Sequence, residues 1–185
     1  ILDSNDAEKI TQIIKEKESK GYAYELANSS LDLLIFRQLP NYEEKFELID
    51  FMVIVENKRR SSLGSGWRND GSEHPILSEA TIKIKTKDEI FHTAAEGNGP
   101  VGALDNATRK ALIGTFPEIN KIRLTDYIVR VVEEGTGTGA VVRVIIESSD
   151  DKEVWTTVGA SSNIIEATWI ALADSIEWFL IKNSK

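Results

Sequence analysis

Cysteine is missing from this chain of 185 residues. Its absence excludes a disulfide framework and any thiolate acting as nucleophile or metal ligand. Histidine is almost missing too: His74 and His92 are the only two, so a zinc site built by this chain would have to lean on carboxylates. No apolar run approaches the roughly 20 residues that a membrane-spanning helix needs. Positive charge is in deficit, with 22 Lys plus Arg against 30 Asp plus Glu and a formal net charge of −8. That balance argues against broad binding to phosphate backbones or anionic membranes, and neither is expected as a partner. The chain opens at Ile1 with no initiator Met and no basic-then-apolar leader profile, which leads us to expect part of a larger cytoplasmic protein.

What is present falls into two textures. From Asp6 to Lys20, apolar residues sit at Ile10, Ile13 and Ile14, and from Ser29 to Leu39 at Leu31, Leu34, Ile35 and Leu39; both sets repeat at helical spacing. Gly21 separates the two helices and Pro40-Asn41 closes the second. After Lys45 the period changes to alternation. Phe46 to Glu56 is expected to place Ile49, Phe51, Val53 and Val55 on one face, Ala80 to Lys87 sets Ile82 and Ile84 against Lys83, Lys85 and Lys87, and Glu89 to Ala95 follows across a hairpin-like Lys87-Asp88 junction. Residues 58–75 read as a long polar loop, whose Arg59-Arg60 pair is either solvated or a phosphate patch. A helix then begins at Pro100, with Val101, Leu104, Ala107, Thr108 and Ala111 on one stripe.

The same order recurs. Three alternating segments, Ile122 to Glu134, Ala140 to Glu147 and Glu153 to Gly159, are joined in part by a Gly135 to Gly139 turn, and a last helix starts near Ser162-Asn163 with Glu166 in capping position. Thr93 and Thr157 stand 64 residues apart, as do Val101 and Ile165, Ala103 and Ala167, and Ala107 and Ala171. The expected fold is therefore α+β, a βββα unit (three-stranded antiparallel sheet plus helix) present twice and preceded by a short helical arm. Residues 1–43 are expected to form the arm, belonging to or docking on something upstream, and residues 45–185 a domain able to fold by itself.

The chemical equipment is sparse. His92 is alone in an alternating strand, Asp126 and Glu133 are separated by an odd number and face opposite ways, and Asp150-Asp151 reads as a hairpin tip. No catalytic residue is assigned, although a small-molecule enzyme using His92 and Asp126 remains a rival reading. The stretch Gly97-Asn98-Gly99-Pro100-Val101-Gly102 lacks the Lys-Ser/Thr of a phosphate loop and the spacing of a dinucleotide fingerprint. Its glycines and helix start suit a single carboxylate, unless it is only a tight strand-to-helix turn. The strand Leu124 to Val131 is apolar on both faces, as in a strand covered by its own helices and by another subunit or ligand, with Tyr127 either part of that site or a core residue.

At this point the motifs resemble a known family. Ala80-Thr81-Ile82-Lys83, then His92-Thr93-Ala94-Ala95-Glu96-Gly97-Asn98-Gly99-Pro100-Val101 and Leu104-Asp105-Asn106-Ala107, look like the C-terminal regulatory domain shared by 2-isopropylmalate synthase and citramalate synthase. The likeness runs on through Arg123-Leu124-Thr125-Asp126-Tyr127, Ile146-Glu147-Ser148-Ser149-Asp150 and Thr157-Val158-Gly159 to Trp169. Gly21-Tyr22 and Leu31-Asp32-Leu33-Leu34 resemble the helical subdomain that precedes it. Leu-Asp-Asn-Ala and Glu-Ser-Ser-Asp are more like the citramalate synthase branch.

The resemblance implies a non-catalytic portion of an acyltransferase of branched-chain amino-acid biosynthesis. The parent would condense acetyl-CoA with a 2-oxo acid on a divalent-metal-dependent barrel whose His-x-His ligands have no counterpart here. It implies a homodimer acting on the catalytic domain of the same polypeptide, with isoleucine (citramalate synthase) or leucine (2-isopropylmalate synthase) as feedback inhibitor; a ligand-free dimerisation module is the other alternative. Carried over by motif, the effector site comprises Gly97, Asn98, Gly99, Pro100 and Val101, the strand positions Leu124, Tyr127 and Val131, the next strand entry at Thr138 and Ala140, and the helix start at Ile164 and Ile165. The glycine-turn amides would meet the zwitterionic end of the amino acid and Tyr127 would close the apolar end.

Overall fold

A computed structural model describes residues 4–56, 77–87, 89–132 and 139–183. Arg59-Arg60 and the rest of the 58–75 loop, Asp88 of the hairpin junction, and residues 135–138 of the glycine turn lie outside these. The elements run α1 (Ser4–Ser19), α2 (Asn28–Phe36), β1 (Glu47–Glu56), β2 (Leu77–Lys85), β3 (Ile90–Gly97), α3 (Pro100–Leu112), β4 (Arg123–Val131), β5 (Val142–Ser149), β6 (Val154–Ser161) and α4 (Ile164–Asn183). Two three-stranded antiparallel sheets result, in the orders β1-β2-β3 and β4-β5-β6, each followed by a helix, so the duplicated βββα architecture is present as expected.

The repeat is atomic as well as topological. In the compact unit Phe46–Thr115, the Thr93 hydroxyl donates to the Ala107 carbonyl of α3 at 2.8 Å. In the unit formed by Ile1–Lys45 with Phe116–Lys185, Thr157 donates to the Ala171 carbonyl of α4 at 2.7 Å. Both first strands carry a bulge, between Leu48 and Asp50 and between Leu124 and Asp126. The bulge corrects the expected face of β1. Leu48 pairs with Ile84, Phe51 with Ile82 and Val53 with Ala80, so Leu48 joins the α3-facing row while Ile49 is the extra residue and stays 42% exposed.

In the unit Phe46–Thr115, Ala80, Ile82 and Ile84 are fully buried against the stripe of Ala103, Leu104, Ala107 and Ala111 on α3. The opposite sheet face carries Lys83, Lys85 and the exposed His92, as alternation predicts.

In the other unit the central strand is covered on both sides. Val144, Ile146 and Ser148 face α4, whereas Ile145 and Val158 point the other way into a cluster with Ile10, Tyr22, Tyr24, Ala27 and Leu34 of the arm. The expected arm is thus packed on a sheet of its own chain. Arg143 donates from Nε to the Gly21 carbonyl at 2.5 Å, and the outward amide of Val158 on the β6 edge is taken by Ser30 Oγ at 3.0 Å. Gly159 is required where α4 crosses β6, because a Cβ there would strike the Ala167 carbonyl. The helix expected to run to Leu39 stops at Phe36, its last turn tightening into three-residue bonds ahead of Pro40.

The seam between α2 and α4 is charged and buried. Ser30 Oγ donates to Asp174 Oδ2 at 2.8 Å; Arg37 reaches Asp174 Oδ1 at 2.8 Å and Glu177 Oε2 at 2.5 Å; and Tyr42 donates to Glu177 Oε1 at 2.5 Å. Burial pushes the Asp174 carboxyl above its ordinary value, and the Arg37 guanidinium opposes that rise. Removing one partner of a buried pair strands the other. Since the Arg37 side chain is 38% exposed, solvent softens the loss, and Arg37→Met is expected to cost about 2–3 kcal/mol at neutral pH. With the cation gone, the folded state binds a proton at Asp174 more readily than the unfolded chain does. Urea titrations should therefore show the deficit shrinking as pH falls from about 7 to about 4.5, and a deficit constant across that range would contradict the assignment.

Candidate functional site

The described residues of the expected site fall on the β3–α3 junction, on β4, just before β5 and at the start of α4. Gly97, Asn98, Gly99, Pro100 and Val101 run from the last residue of β3 into the first turn of α3. Gly97 is the tight point: a Cβ there would meet the Ala103 backbone nitrogen, so the strand end and helix start can touch only through glycine. Gly99 is the N-cap in extended backbone (φ −179°, ψ 171°), with open space around its Cα and no side-chain cap, and Pro100 follows at the first helical position. The Val101 and Gly102 amides therefore belong to a helix start without an acceptor from its own side chains. The start of α4 is built differently. Asn163 Oδ1 accepts the Ile165 amide at 2.9 Å, and Ser161 Oγ donates to Glu166 Oε2 at 2.5 Å, which places the expected cap where the sequence put it.

Leu124, Tyr127 and Val131 lie on one face of β4. Simple alternation would set Leu124 opposite Tyr127; the bulge at Thr125 returns it, and the three pair with Ser148, Ile146 and Val142, which share the α4-facing row. Thr168 donates to the Ile164 carbonyl at 2.8 Å, so the 2.6 Å contact between Tyr127 and Thr168 has the phenol as donor. Tyr127 is thereby tied to the α4 turn that starts at Ile164 and Ile165, and burial pushes its hydroxyl above the ordinary tyrosine value. Val131 is 65% exposed, Val129 39% and Ile164 42%. Ala140 is half-buried two residues before β5, and Thr138 lies outside the described residues.

The rival catalytic pair finds no support in local geometry. His92 is exposed across from Lys83, and Asp126 is exposed with Oδ1 accepting the Tyr127 amide at 2.8 Å. Among the described residues no three His, Asp or Glu side chains stand together as a metal site. No described helix is long and apolar enough to cross a membrane.

One residue near the glycine turn was missed. Ser78 pairs with Val55 on one side and Gly97 on the other, on the α3-facing row of β2, and its buried hydroxyl has no hydrogen-bond partner among the described residues. The repeat offered a signal, because the position 64 residues on is the apolar Val142. An unsatisfied buried hydroxyl costs about 1–3 kcal/mol, so Ser78→Ala is expected to leave the free chain as stable or up to about 1 kcal/mol more stable in urea. A loss beyond about 1 kcal/mol would show that the hydroxyl is bonded in solution.

Comparison with known proteins adds an independent finding. The family described as LeuA allosteric (dimerisation) domain matches residues 25–180. An (R)-citramalate synthase of Geobacter sulfurreducens is 44% identical over 100% of this chain and 33% of its own length, and one of Aquifex aeolicus is 42% identical over 98% and 32%. A 2-isopropylmalate synthase of Shewanella woodyi is 28% identical over 86% of this chain and 25% of its own length. The chain thus spans about a third of the length of the citramalate synthases that it matches.

Proposed function

The chain belongs to the LeuA allosteric (dimerisation) domain family, and from that premise we propose that it is the regulatory portion of a cytoplasmic (R)-citramalate synthase, binding isoleucine as feedback inhibitor. The parent acyltransferase would join acetyl-CoA to pyruvate in a catalytic domain, with its divalent metal held there. The higher identity to citramalate synthases than to a 2-isopropylmalate synthase supports isoleucine over leucine.

The observation that carries the reading is the β4 row. Leu124, Val129 and Val131 offer apolar area that the described residues leave partly open, and one phenol, Tyr127, is held in place by Thr168. An aliphatic side chain suits such a surface, and exposed β4 apolars suit contact with a second copy. Taken by itself, in the unit Phe46–Thr115, the uncapped α3 start offers the kind of amide donors that receive a carboxylate. An aliphatic pocket separates neighbours by only about 1–3 kcal/mol per methylene, so the choice between isoleucine and leucine is quantitative.

Calorimetry of the chain with isoleucine, leucine and valine tests this. Isoleucine is expected to bind most tightly; a preference for leucine would move the parent to 2-isopropylmalate synthase, and no heat with any of the three would leave a ligand-free dimerisation module. Tyr127→Ala should weaken isoleucine at least about tenfold, the loss of roughly 1.4 kcal/mol of contact. Gly99→Asp gives a sharper test. Its Cβ meets nothing and its backbone is extended, so the fold should be unharmed or slightly stabilised by the new cap. If the α3 start receives a carboxylate, the added charge should weaken isoleucine about tenfold or more, and an unchanged affinity places the carboxylate elsewhere. Light scattering should give a dimer at micromolar concentration.

A further inference from the structure

Helix α4 carries two attachments on one rod. Near its start, Thr168 holds the Tyr127 phenol. Six residues on, about 9 Å along the axis, Asp174 begins the buried seam with the arm, continued by Glu177 and by Trp178, whose indole donates to Asp32 at 3.2 Å. The 20 residues of α4 include neither Gly nor Pro. A displacement at its first turns is therefore carried along the helix with no kink to absorb it.

We propose that the cluster of Ser30, Arg37 and Tyr42 with Asp174 and Glu177 is a latch through which α4 couples occupancy of the effector site to the position of the helical arm, an inference that rests on the effector reading above. Three features favour a latch over a passive seam. Every partner of the two α4 carboxylates in the cluster comes from the arm, from Ser30 to Tyr42, so the arm is aligned only as one piece. Two nearly buried carboxylates, with side chains 9% and 5% exposed, share one guanidinium. Sliding the arm strands charge in a dry place, so intermediate positions are disfavoured and the seam has few arrangements. Ser30 also bonds both Asp174 and the Val158 amide, which ties the latch to the β6 edge. Apolar residues would hold α2 to α4 without such directionality. Arg37, Tyr42, Asp174 and Glu177 are positioning residues, since none of them belongs to the effector surface.

Hydrogen exchange of the arm amides over residues 28–42, with and without saturating isoleucine, tests the latch in the wild-type chain, Asp174→Asn and the milder Tyr42→Phe. In the wild type isoleucine is expected to change arm exchange by at least about fivefold. In Asp174→Asn the isoleucine Kd stays within about fivefold while the arm response disappears, and Tyr42→Phe, which folds with all the charges in place, reduces the response at least by half. An arm response that survives in both variants, or an arm that ignores isoleucine in a wild type that binds it, overturns the latch alone. A wild type that binds no isoleucine overturns the effector reading and the latch together.

Discussion

A three-stranded sheet backed by one helix leaves its second face to water, and the central strand suffers most if that face is apolar. The two units of this chain answer that constraint in opposite ways. In the unit Phe46–Thr115 the central strand β2 turns Thr81, Lys83 and Lys85 outward, polar side chains that water can solvate. In the other unit β5 turns out Ile145, and β6 adds Val158, so the face must be covered. The arm covers it, with the stacked rings of Tyr22 and Tyr24 against the strands and Arg143 holding the Gly21 carbonyl. The arm is therefore a structural layer of this unit, and whatever moves it changes the burial of β5.

That dependence gives the charged α2–α4 seam its meaning. Around it the packing is apolar and aromatic, with Trp155 stacked on Trp178 and Phe179 and its indole bonded to Ser175. Two carboxylates in such surroundings are an expensive way to hold two helices together, since desolvation offsets much of the attraction between the charges. They do fix direction and register. Asp174 accepts from Ser30 and Arg37 at once, and Glu177 from Arg37 and Tyr42, an arrangement that admits one alignment of the arm.

Much of the fold was legible before the structure. Alternation and helical spacing gave six strands and the long helices, and the 64-residue offset that pairs Thr93 with Thr157 is realised as the same hydroxyl-to-carbonyl bond in each unit. The cap at Asn163 was legible because capping is local. The two bulges were not. Ile49 and Thr125 carry no mark of their own, and a bulge is decided by how a strand bends over its partner, yet it determines that Leu124 shares a face with Tyr127. Ser78 also reads as an ordinary strand residue until its register between Val55 and Gly97 is known.

The sequence by itself determined the kinds of element, their order and their duplication, because periodicity, caps and turns are written in neighbouring residues. It also determined that cysteine is missing and histidine scarce, which is composition. Only the tertiary structure decided that Arg37 meets Asp174 and Glu177 some 140 residues away, and that the arm lies on β5 and β6. Burial of a charge depends on everything packed around it, and no local pattern carries that information.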